Sequence, residues 1–507
     1  MKGRSPFETH TFSCEGEGDK GDGVIKIMGG EVDKQLKIAL PKGRLLAETA
    51  TLLKRASWRL SGYTEEARSY RLKSRRFPNL LAKVFHEKDI PIQVAVGNYD
   101  LGICGLDWVE ELLVRYPSSA LIKLRNLGYG EGALYVVASQ SEAVSTVGEM
   151  QAKEGIIRLV SEYPNLAESF ALKNRLRWFS IFPLWGAAEV YPPESAELAL
   201  VAGRTGEEIF NHNLVSISDV LGFSACLIAN KSSWERQDLS EILASIDSEL
   251  LNMERQPSPA AARIQEIAGQ SSVQKAPEDT IRLALPDGHQ QRPTFQLLSK
   301  IDISVDGYPL TTGNRRPSTS LTGVTIKVIR PQDMPSQVAN GNFDLAITGK
   351  DWLMEHLYQF PSSPVAELLD LKFGWVKIVA VISKDLPVDD VQSLRQFYAQ
   401  RLTPIRVASE YVNMADKCAR DNHLGEYKVI PTWGASEAFL PEDADLLIEN
   451  TETGRTITRH NLKIIDTLFE STARLIGNKY SISSPVKSER IKSIAETLRA
   501  AVEDFSN

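Results

Sequence analysis

The chain repeats itself at an offset of 244 to 248 residues, and this repeat constrains its fold more than any other feature. The segment 97–113 reads GNYDLGICGLDWVEELL, and the segment 341–357 reads GNFDLAITGKDWLMEHL. GAAE at 186–189 likewise recurs as GASE at 434–437. Solenoid and propeller repeats have much shorter periods, of about 20 to 50 residues. The sequence therefore predicts two copies of one globular domain.

Length and charge exclude several classes of protein. With 507 residues the chain has room for two domains, each with its own core. The net charge of -7 argues against nucleic acid as a partner. Because no run of about 18 apolar residues and no apolar signal-peptide stretch occurs, no membrane partner is predicted, and the cytoplasm is the expected location. The four cysteines and seven histidines lack metal-ligand spacing, so no protein metal site is predicted.

Strand-like apolar runs alternate with amphipathic helical segments in both copies, as in LKIAL followed by LLAETATLLKRA. This alternation predicts an α/β fold with mainly parallel sheets, whose ligands bind beyond the carboxyl ends of the strands. In each copy a middle segment is predicted to form a second lobe before the chain returns to the first. The predicted organisation is a disordered tail at 1–33, a first copy at 34–253, a linker at 254–279 and a second copy at 280–507.

The segment 444–461, ADLLIENTETGRTITRHN, has the pattern of a phosphate-binding turn. An apolar strand ends at Glu449, and the turn TGRT follows at 453–456. Glycine lets successive N–H groups converge on an anion, the threonine hydroxyls add donors, and a following helix presents its positive end. Carboxylates just before such a turn, here Asp445 and Glu449, suit the hydroxyls of a ribose. The alternative is an ordinary strand-turn-helix junction with a capping threonine.

The same segment, preceded by TWGASE and followed by IIDTLFESTARLIGN, resembles the phosphoribosyl-diphosphate loop region of ATP phosphoribosyltransferases. The first copy adds LPKGRL, RSYR and SEYPNL, and the second adds IRPQDMP and SEYVN, in the order of the family motifs. The resemblance covers both copies and excludes the tail and the linker. It implies that each copy is a two-lobed, periplasmic-binding-protein-like (type II) domain.

The resemblance also implies a reaction, the first step of histidine biosynthesis. N1 of ATP displaces pyrophosphate from C1 of phosphoribosyl diphosphate, with Mg²⁺ on the diphosphate. The protein must hold the two substrates in line and stabilise charge on the departing pyrophosphate. Basic residues are therefore expected to be the most sensitive to loss.

The two copies differ at the positions that would bind polyphosphate. The first copy keeps Lys42 and Arg44 in LPKGR and Arg68 in RSYR. The second copy has LPDGH, with Asp287 at the lysine position, and an acid there would repel polyphosphate. The counterpart of RSYR is expected at 306–310 (DGYPL), without its arginines.

In the phosphate-binding turn the losses fall instead in the first copy. Val201 and Glu208 of the first copy stand where the second copy has Glu449 and Thr456. A glutamate in a phosphate site is unfavourable because two anions would share it. The arginine of the family's RPQDIP-type motif is Arg330 in the second copy, and His86 replaces it in the first.

These complementary losses lead to the hypothesis of a fused pseudo-dimer with one composite site. The predicted catalytic residues are Arg330, Arg68 and Lys42. The predicted substrate-binding residues are Arg44, Asp445, Glu449, Thr453, Gly454, Arg455, Thr456 and Glu437. The alternatives are a single copy with weak activity, or a catalytically inactive nucleotide- or phosphoribosyl-binding regulatory protein.

The predicted partners follow from the same resemblance. ATP and phosphoribosyl diphosphate are the expected ligands, and a homo-oligomer is a further possibility. Only a short tail and a helix follow Asn478, so we expect no C-terminal histidine-sensing domain. In that respect the chain resembles short-form enzymes, which rely on a histidyl-tRNA-synthetase-like regulatory subunit. The sequence TETGRT is closer to the loops of long-form enzymes. Whether the chain needs a regulatory partner therefore stays open.

Overall fold

The computed structural model describes residues 35–64, 70–141, 146–203, 213–254, 277–309 and 315–503. All of them except Gln35 belong to one compact unit, Leu36–Asn507. The predicted tail and most of the predicted linker lie outside the described residues, so the predicted domain boundaries stay predictions. Within the described ranges, no helix is long and apolar enough to cross a membrane.

Strands and helices alternate through the first copy, as the apolar periodicity predicts. Its described strands are β1 (Leu36–Lys42), β2 (Arg71–Lys73), β3 (Leu80–His86), β4 (Leu101–Gly105), β5 (Leu121–Asn126), β6 (Gly132–Ser139), β7 (Ile157–Ser161), β8 (Phe179–Pro183), β9 (Leu198–Gly203), β10 (Leu214–Phe223) and β11 (Ala225–Asn230). Its described helices are α1 (Leu46–Arg55), α2 (Asp89–Ala95), α3 (Leu106–Arg115), α4 (Val147–Ala152), α5 (Pro164–Lys173), α6 (Lys231–Arg236) and α7 (Ser240–Glu254).

The second copy repeats this order of elements, except that no strand among its described residues corresponds to β2. Its described strands are β12 (Ile281–Pro286), β13 (Val324–Ile329), β14 (Leu345–Gly349), β15 (Val365–Asp370), β16 (Val376–Ser383), β17 (Ile405–Ser409), β18 (Tyr427–Pro431), β19 (Leu446–Thr451), β20 (Leu462–Ser471) and β21 (Ala473–Asn478). Its described helices are α8 (Gln291–Lys300), α9 (Met334–Ala339), α10 (Lys350–Gln359), α11 (Val391–Tyr398), α12 (Val412–Asp421), α13 (Arg455–Arg459), α14 (Lys479–Ile482) and α15 (Ser488–Glu503).

The strands form four mixed sheets, two for each copy. In the first copy the sheet orders are β2-β3-β1-β4-β11-β5 and β10-β6-β9-β7-β8, and in the second they are β13-β12-β14-β21-β15 and β18-β17-β19-β16-β20. The pairs β1–β3 and β1–β4 are parallel, whereas β11 pairs antiparallel with β4 because the chain comes back from the second sheet at that point. The α/β class and the tandem two-lobed domains are confirmed, with more antiparallel pairing than predicted.

The repeated SACLIAN and TARLIGN segments end in asparagines with the same structural role. The side chain of Asn230 accepts hydrogen bonds from the N–H groups of Ser232 and Ser233, and so caps the N-terminus of α6. Its amide nitrogen donates to the carbonyl oxygen of Val94 at 2.8 Å. Asn478 caps α14 and binds α9 in the corresponding way. Each asparagine therefore fixes the end of the strand, β11 or β21, on which the chain returns to the first lobe.

The two copies pack against each other crosswise. One buried cluster joins the first lobe of the first copy to the second lobe of the second copy, and within it the rings of Phe85 and Phe439 lie 5.2 Å apart. Another cluster joins the second lobe of the first copy, including Tyr191, to the first lobe of the second copy, including Phe343. Apolar surface of each lobe is thus buried against the other copy. Residues of the two copies consequently meet at two separate lobe–lobe interfaces.

Candidate functional site

The TGRT turn of the second copy borders a cavity of about 470 Å³, here called the loop cavity. Strand β19 reaches this cavity because its apolar residues Leu446–Ile448 are buried in the sheet, which leaves Glu449 and the residues after it at the carboxyl end. The lining residues are Tyr70, Glu410, Gly434, Ala435, Ser436, Glu437, Glu449, Asn450, Thr451, Glu452, Thr453, Arg455, Thr456 and Ile457.

The turn itself is shaped for an anion. Gly454 has a φ of 70°, a left-handed conformation that glycine adopts without strain. Its N–H donates to Thr451 Oγ1 at 2.9 Å, which closes the turn. Thr453 and Thr456 are exposed, and α13 begins at Arg455. Because the first N–H groups of a helix have no intrahelical partner, this turn offers hydroxyl and amide donors together.

Four carboxyl groups line the loop cavity, those of Glu410, Glu437, Glu449 and the exposed Glu452. Burial raises the pKa of Glu449 well above its usual range, and the neighbouring Glu410 and Glu437 raise it further. Glu449 accepts hydrogen bonds from Ser436 Oγ and from the N–H of Asn450. Burial and the charge of Glu437 raise the pKa of Glu410 to about 7. At neutral pH the cavity is therefore less negative than four ionised carboxylates would make it.

The first copy also reaches the loop cavity, through Tyr70. The tyrosine ring stacks on the ring of His460, with centroids 4.7 Å apart and planes at 16°. Lys42 Nζ donates to Tyr70 Oη at 3.5 Å and lies 5.3 Å from the centre of the tyrosine ring. Burial raises the pKa of Tyr70 to about 12, as do the nearby Glu437 and Glu449. Lys42 thus lies at the edge of a cavity that the other copy builds.

Sequence reasoning missed Tyr70, and it misplaced the counterpart of RSYR. The carbonyl oxygen of Tyr70 accepts a hydrogen bond from Val84 at 2.9 Å, and that of Arg315 accepts one from Val328 at 2.9 Å. Since Val84 and Val328 are equivalent in the repeat, Arg315 is the counterpart of Tyr70. The counterpart of RSYR is therefore GNRR at 313–316 and not 306–310, and Arg316 stands at the position of Arg71.

The arginines that follow Tyr70 and Arg315, namely Arg71 and Arg316, link lobes of different copies. Arg71 donates to the carbonyl oxygen of Leu440 at 3.0 Å and to Glu442 at 2.7 Å. Arg316 donates to Glu194, the residue that corresponds to Glu442, at 2.6 Å. Both pairs cross between the copies. The predicted catalytic residue Arg68 lies outside the described residues, as do 204–212, which include Glu208.

Arg330 lies at the other interface between the copies, which corrects its assignment to one site with Lys42 and the TGRT turn. Its guanidinium packs on Gly186, where an added Cβ would lie 2.9 Å from Arg330 Nε. Its Nη1 lies 3.3 Å from Asp287, which also binds Arg315 at 2.9 Å. Arg315 in turn lies 3.2 Å from Glu189. The crosswise packing separates Arg330 from the loop because each interface joins opposite lobes.

Arg44 and Asp445 are engaged away from the loop cavity. Arg44 donates to Glu87 at 2.9 Å and to Asp107 at 2.7 Å, and these carboxylates raise its pKa against the effect of burial. Asp445 accepts from Arg401 at 2.8 Å and from the N–H of Arg406 at 2.9 Å. It precedes β19, whereas the cavity lies at the far end of that strand. Its prediction as a ribose ligand is corrected for that reason.

Comparison with known proteins identifies similar chains. The family model described as HisG: ATP phosphoribosyltransferase matches residues 86–248 and 330–500. A protein named ATP phosphoribosyltransferase from Pelotomaculum thermopropionicum is 30% identical over 229 residues, covering 44% of this chain and 73% of the relative. One of the same name from Chlorobaculum parvum is 31% identical over 231 residues, covering 44% of this chain and 72% of the relative.

Two solved structures illustrate the structural neighbours. The ATP phosphoribosyl transferase (HisG:HisZ) complex from Thermotoga maritima aligns with 43% of this chain and 99% of the compared chain, at 20% identity and a TM-score of 0.36. The periplasmic aliphatic sulphonate binding protein SsuA from Escherichia coli aligns with 45% of this chain and 69% of its own, at 14% identity and a TM-score of 0.29.

Proposed function

Because the chain belongs to the ATP phosphoribosyltransferase family, a family of pentosyltransferases, we propose that it transfers a phosphoribosyl group to N1 of ATP at one composite site. The observation that carries the proposal is that Tyr70 of the first copy lines the loop cavity of the second, and that Lys42 is hydrogen-bonded to Tyr70. In this reaction a bond forms between N1 and C1, and the bond from C1 to pyrophosphate breaks.

The proposed roles follow from the chemistry of each group. The turn 453–456 binds a phosphate through its hydroxyl and amide donors. Lys42 stabilises the charge that develops on pyrophosphate as it leaves. Burial raises the pKa of Glu449, which favours its uncharged form and lowers its repulsion of phosphate, and its proposed role is to face a ribose hydroxyl. Positioning the two reactants accounts for the rest of the expected rate enhancement.

The second interface supports one site rather than two. There Asp287 and Glu189 neutralise Arg315 and Arg330 within the protein, so a polyphosphate would have to displace them. Val201 replaces Glu449 at the end of the corresponding strand. Each arginine there already has a carboxylate partner. We therefore expect substrate at the loop cavity and none at the second interface.

Mg²⁺ fits the loop cavity as a substrate-bound ion. In the described ranges no group of three or more His, Cys, Asp or Glu side chains forms a metal site. Mg²⁺ commonly binds through one or two carboxylates together with substrate phosphates, and it keeps several waters. Glu437, half-buried in the cavity, would hold the ion in this way. When bound, the ion neutralises charge on the diphosphate.

The pKa of Glu410 gives the site a predicted pH dependence. Above about pH 7 the glutamate loses its proton and adds a negative charge to the cavity. The affinity for metal-free pyrophosphate should then fall with rising pH, by at most about tenfold per pH unit for one proton. Calorimetric titration over about one unit on either side of the pKa measures this. Glu410→Gln controls for the titration of pyrophosphate itself, and equal slopes for both proteins would contradict the prediction.

The direct test is turnover by the full chain. Purified protein mixed with ATP, phosphoribosyl diphosphate and Mg²⁺ should form phosphoribosyl-ATP and release pyrophosphate, and the gene should restore growth to a histidine auxotroph lacking this enzyme. Both assays are run with and without a histidyl-tRNA-synthetase-like subunit, because the need for that subunit stays a prediction. Ligand-induced stabilisation with no turnover under either condition would instead favour the binding-protein alternative.

A further inference from the structure

A second and larger cavity, of about 1230 Å³, lies between the two copies, and we propose that it binds one flat aromatic anion such as an aromatic carboxylate or sulfonate. Six residues define this central cavity: Trp108, Arg115, Trp185, Ala339, Phe360 and Trp433. Its walls are helices α2 and α3 of the first copy and α9 and the end of α10 of the second. Small-molecule sites typically occupy about 300 to 1,000 Å³, so a ligand with its hydration shell fits.

The walls favour a planar aromatic body. Three indole rings line the cavity, from Trp108, Trp185 and Trp433. Among the described residues, their indole nitrogens have no recorded hydrogen-bond acceptor. Tyr116 and Phe360 stand at the rim with 56% and 49% of their surfaces exposed. The Trp108 ring is already stacked on Tyr163, with centroids 4.1 Å apart, and has Lys88 over it, so it offers a ligand its edge. Aromatic faces and edges bind other rings in stacked or edge-on contact, and the indole N–H groups can donate to a ligand.

The charges indicate an anion rather than a cation. Lys88 is paired with Glu162 at 3.0 Å and lies over the Trp108 ring, so these two charges cancel within the wall. Glu111 accepts hydrogen bonds from the N–H groups of Asn165 and Leu166, and burial raises its pKa to about 7. Arg115 is exposed at the end of α3 and makes no recorded ion pair with a described residue. An acidic ligand group would meet this guanidinium at the mouth.

The cavity is asymmetric although the repeat places equivalent elements on its two sides. Arg115 of the first copy corresponds to Gln359 of the second, and Leu112 corresponds to His356. Burial lowers the pKa of His356, which therefore stays uncharged at neutral pH. Only one orientation places the acidic group on Arg115. The expected stoichiometry is one ligand per chain, and binding requires no activity at the loop cavity.

The test uses 8-anilinonaphthalene-1-sulfonate as the anionic probe and N-phenyl-1-naphthylamine as its uncharged relative. Ala339→Trp fills the cavity from α9, and the matched control is Ala95→Trp, the equivalent position in α2 that does not line it. Fluorescence titration of the full chain should show one saturable site for the sulfonate. Its affinity should fall at least about tenfold in Ala339→Trp and by less than about twofold in Ala95→Trp.

A second variant keeps the test decisive if the tryptophan disturbs folding. Arg115→Gln copies the residue of the other repeat and should weaken sulfonate binding about fivefold, near the upper end of what an exposed charge pair contributes. The uncharged probe should bind equally well to this variant and to the original chain. Unchanged sulfonate affinity in Arg115→Gln, or in a folded Ala339→Trp chain, would overturn the proposal.

Discussion

Thr456→Glu should abolish phosphoribosyl transfer, with a loss of about a thousandfold in kcat/KM. The substitution copies Glu208 of the first copy and puts a carboxylate into the turn that we propose binds phosphate. Two like charges about 4 Å apart repel by about 4 kcal/mol at an effective dielectric constant of about 20. A barrier change of that size corresponds to about three orders of magnitude in rate. Steady-state kinetics of the purified chain measures the loss.

One control distinguishes the effect of charge from that of side-chain size. A second control tests whether the corresponding loop of the first copy takes part. Thr456→Gln has nearly the shape of the glutamate without its charge, so it should retain much more activity than Thr456→Glu. Glu208→Thr makes the reverse change in the first copy and should leave kcat/KM within about threefold, because the proposed site does not use that loop. Equal losses in the glutamine and glutamate variants would mean that repulsion is not the cause.

The repeat and the periodicity were sufficient to predict the α/β lobes. An apolar run followed by a glycine turn predicts, from sequence alone, a loop at the carboxyl end of a buried strand. The structure contains this loop after β19. The same rule could have excluded Asp445, because a residue before a strand lies at the opposite end from the loop. At about 3.3 Å per residue, six strand residues separate the two ends by about 20 Å.

The pairing of the lobes could not be predicted in this way. Lys42 and Arg330 both look like residues of one polyphosphate site, yet the crosswise packing brings them to different interfaces. Periodicity shows that a face is buried but does not show which copy covers it. Tyr70 was overlooked for the same reason. Its role depends on His460 of the other copy, and no pattern within RSYR indicates that contact.

The complementary prediction concerns the other half of the proposed site. Lys42→Asp should lower kcat/KM about a hundredfold, because it removes a cation and adds an anion where pyrophosphate leaves. The loss should be smaller than for Thr456→Glu because Lys42 is exposed and water and salt screen its charge. Added salt should therefore reduce the difference in kcat/KM between Lys42→Asp and the unaltered chain. The fold should tolerate the change, since the recorded contacts of Lys42 are with Tyr70.

Asp287→Asn changes the residue of the second copy that corresponds to Lys42. It should lower stability and leave activity nearly unchanged. Asp287 is nearly buried and lies between Arg315 and Arg330, so neutralising it leaves two guanidiniums without that carboxylate. The denaturation midpoint should fall, by an amount equivalent to about 1–3 kcal/mol, while kcat/KM stays within about threefold. Loss of stability in Asp287→Asn and loss of activity in Lys42→Asp would show that the Asp287 ion pairs stabilise the second interface and that catalysis occurs at the loop cavity. If Asp287→Asn instead lost as much activity as Lys42→Asp, both interfaces would serve catalysis, and the single composite site would be wrong.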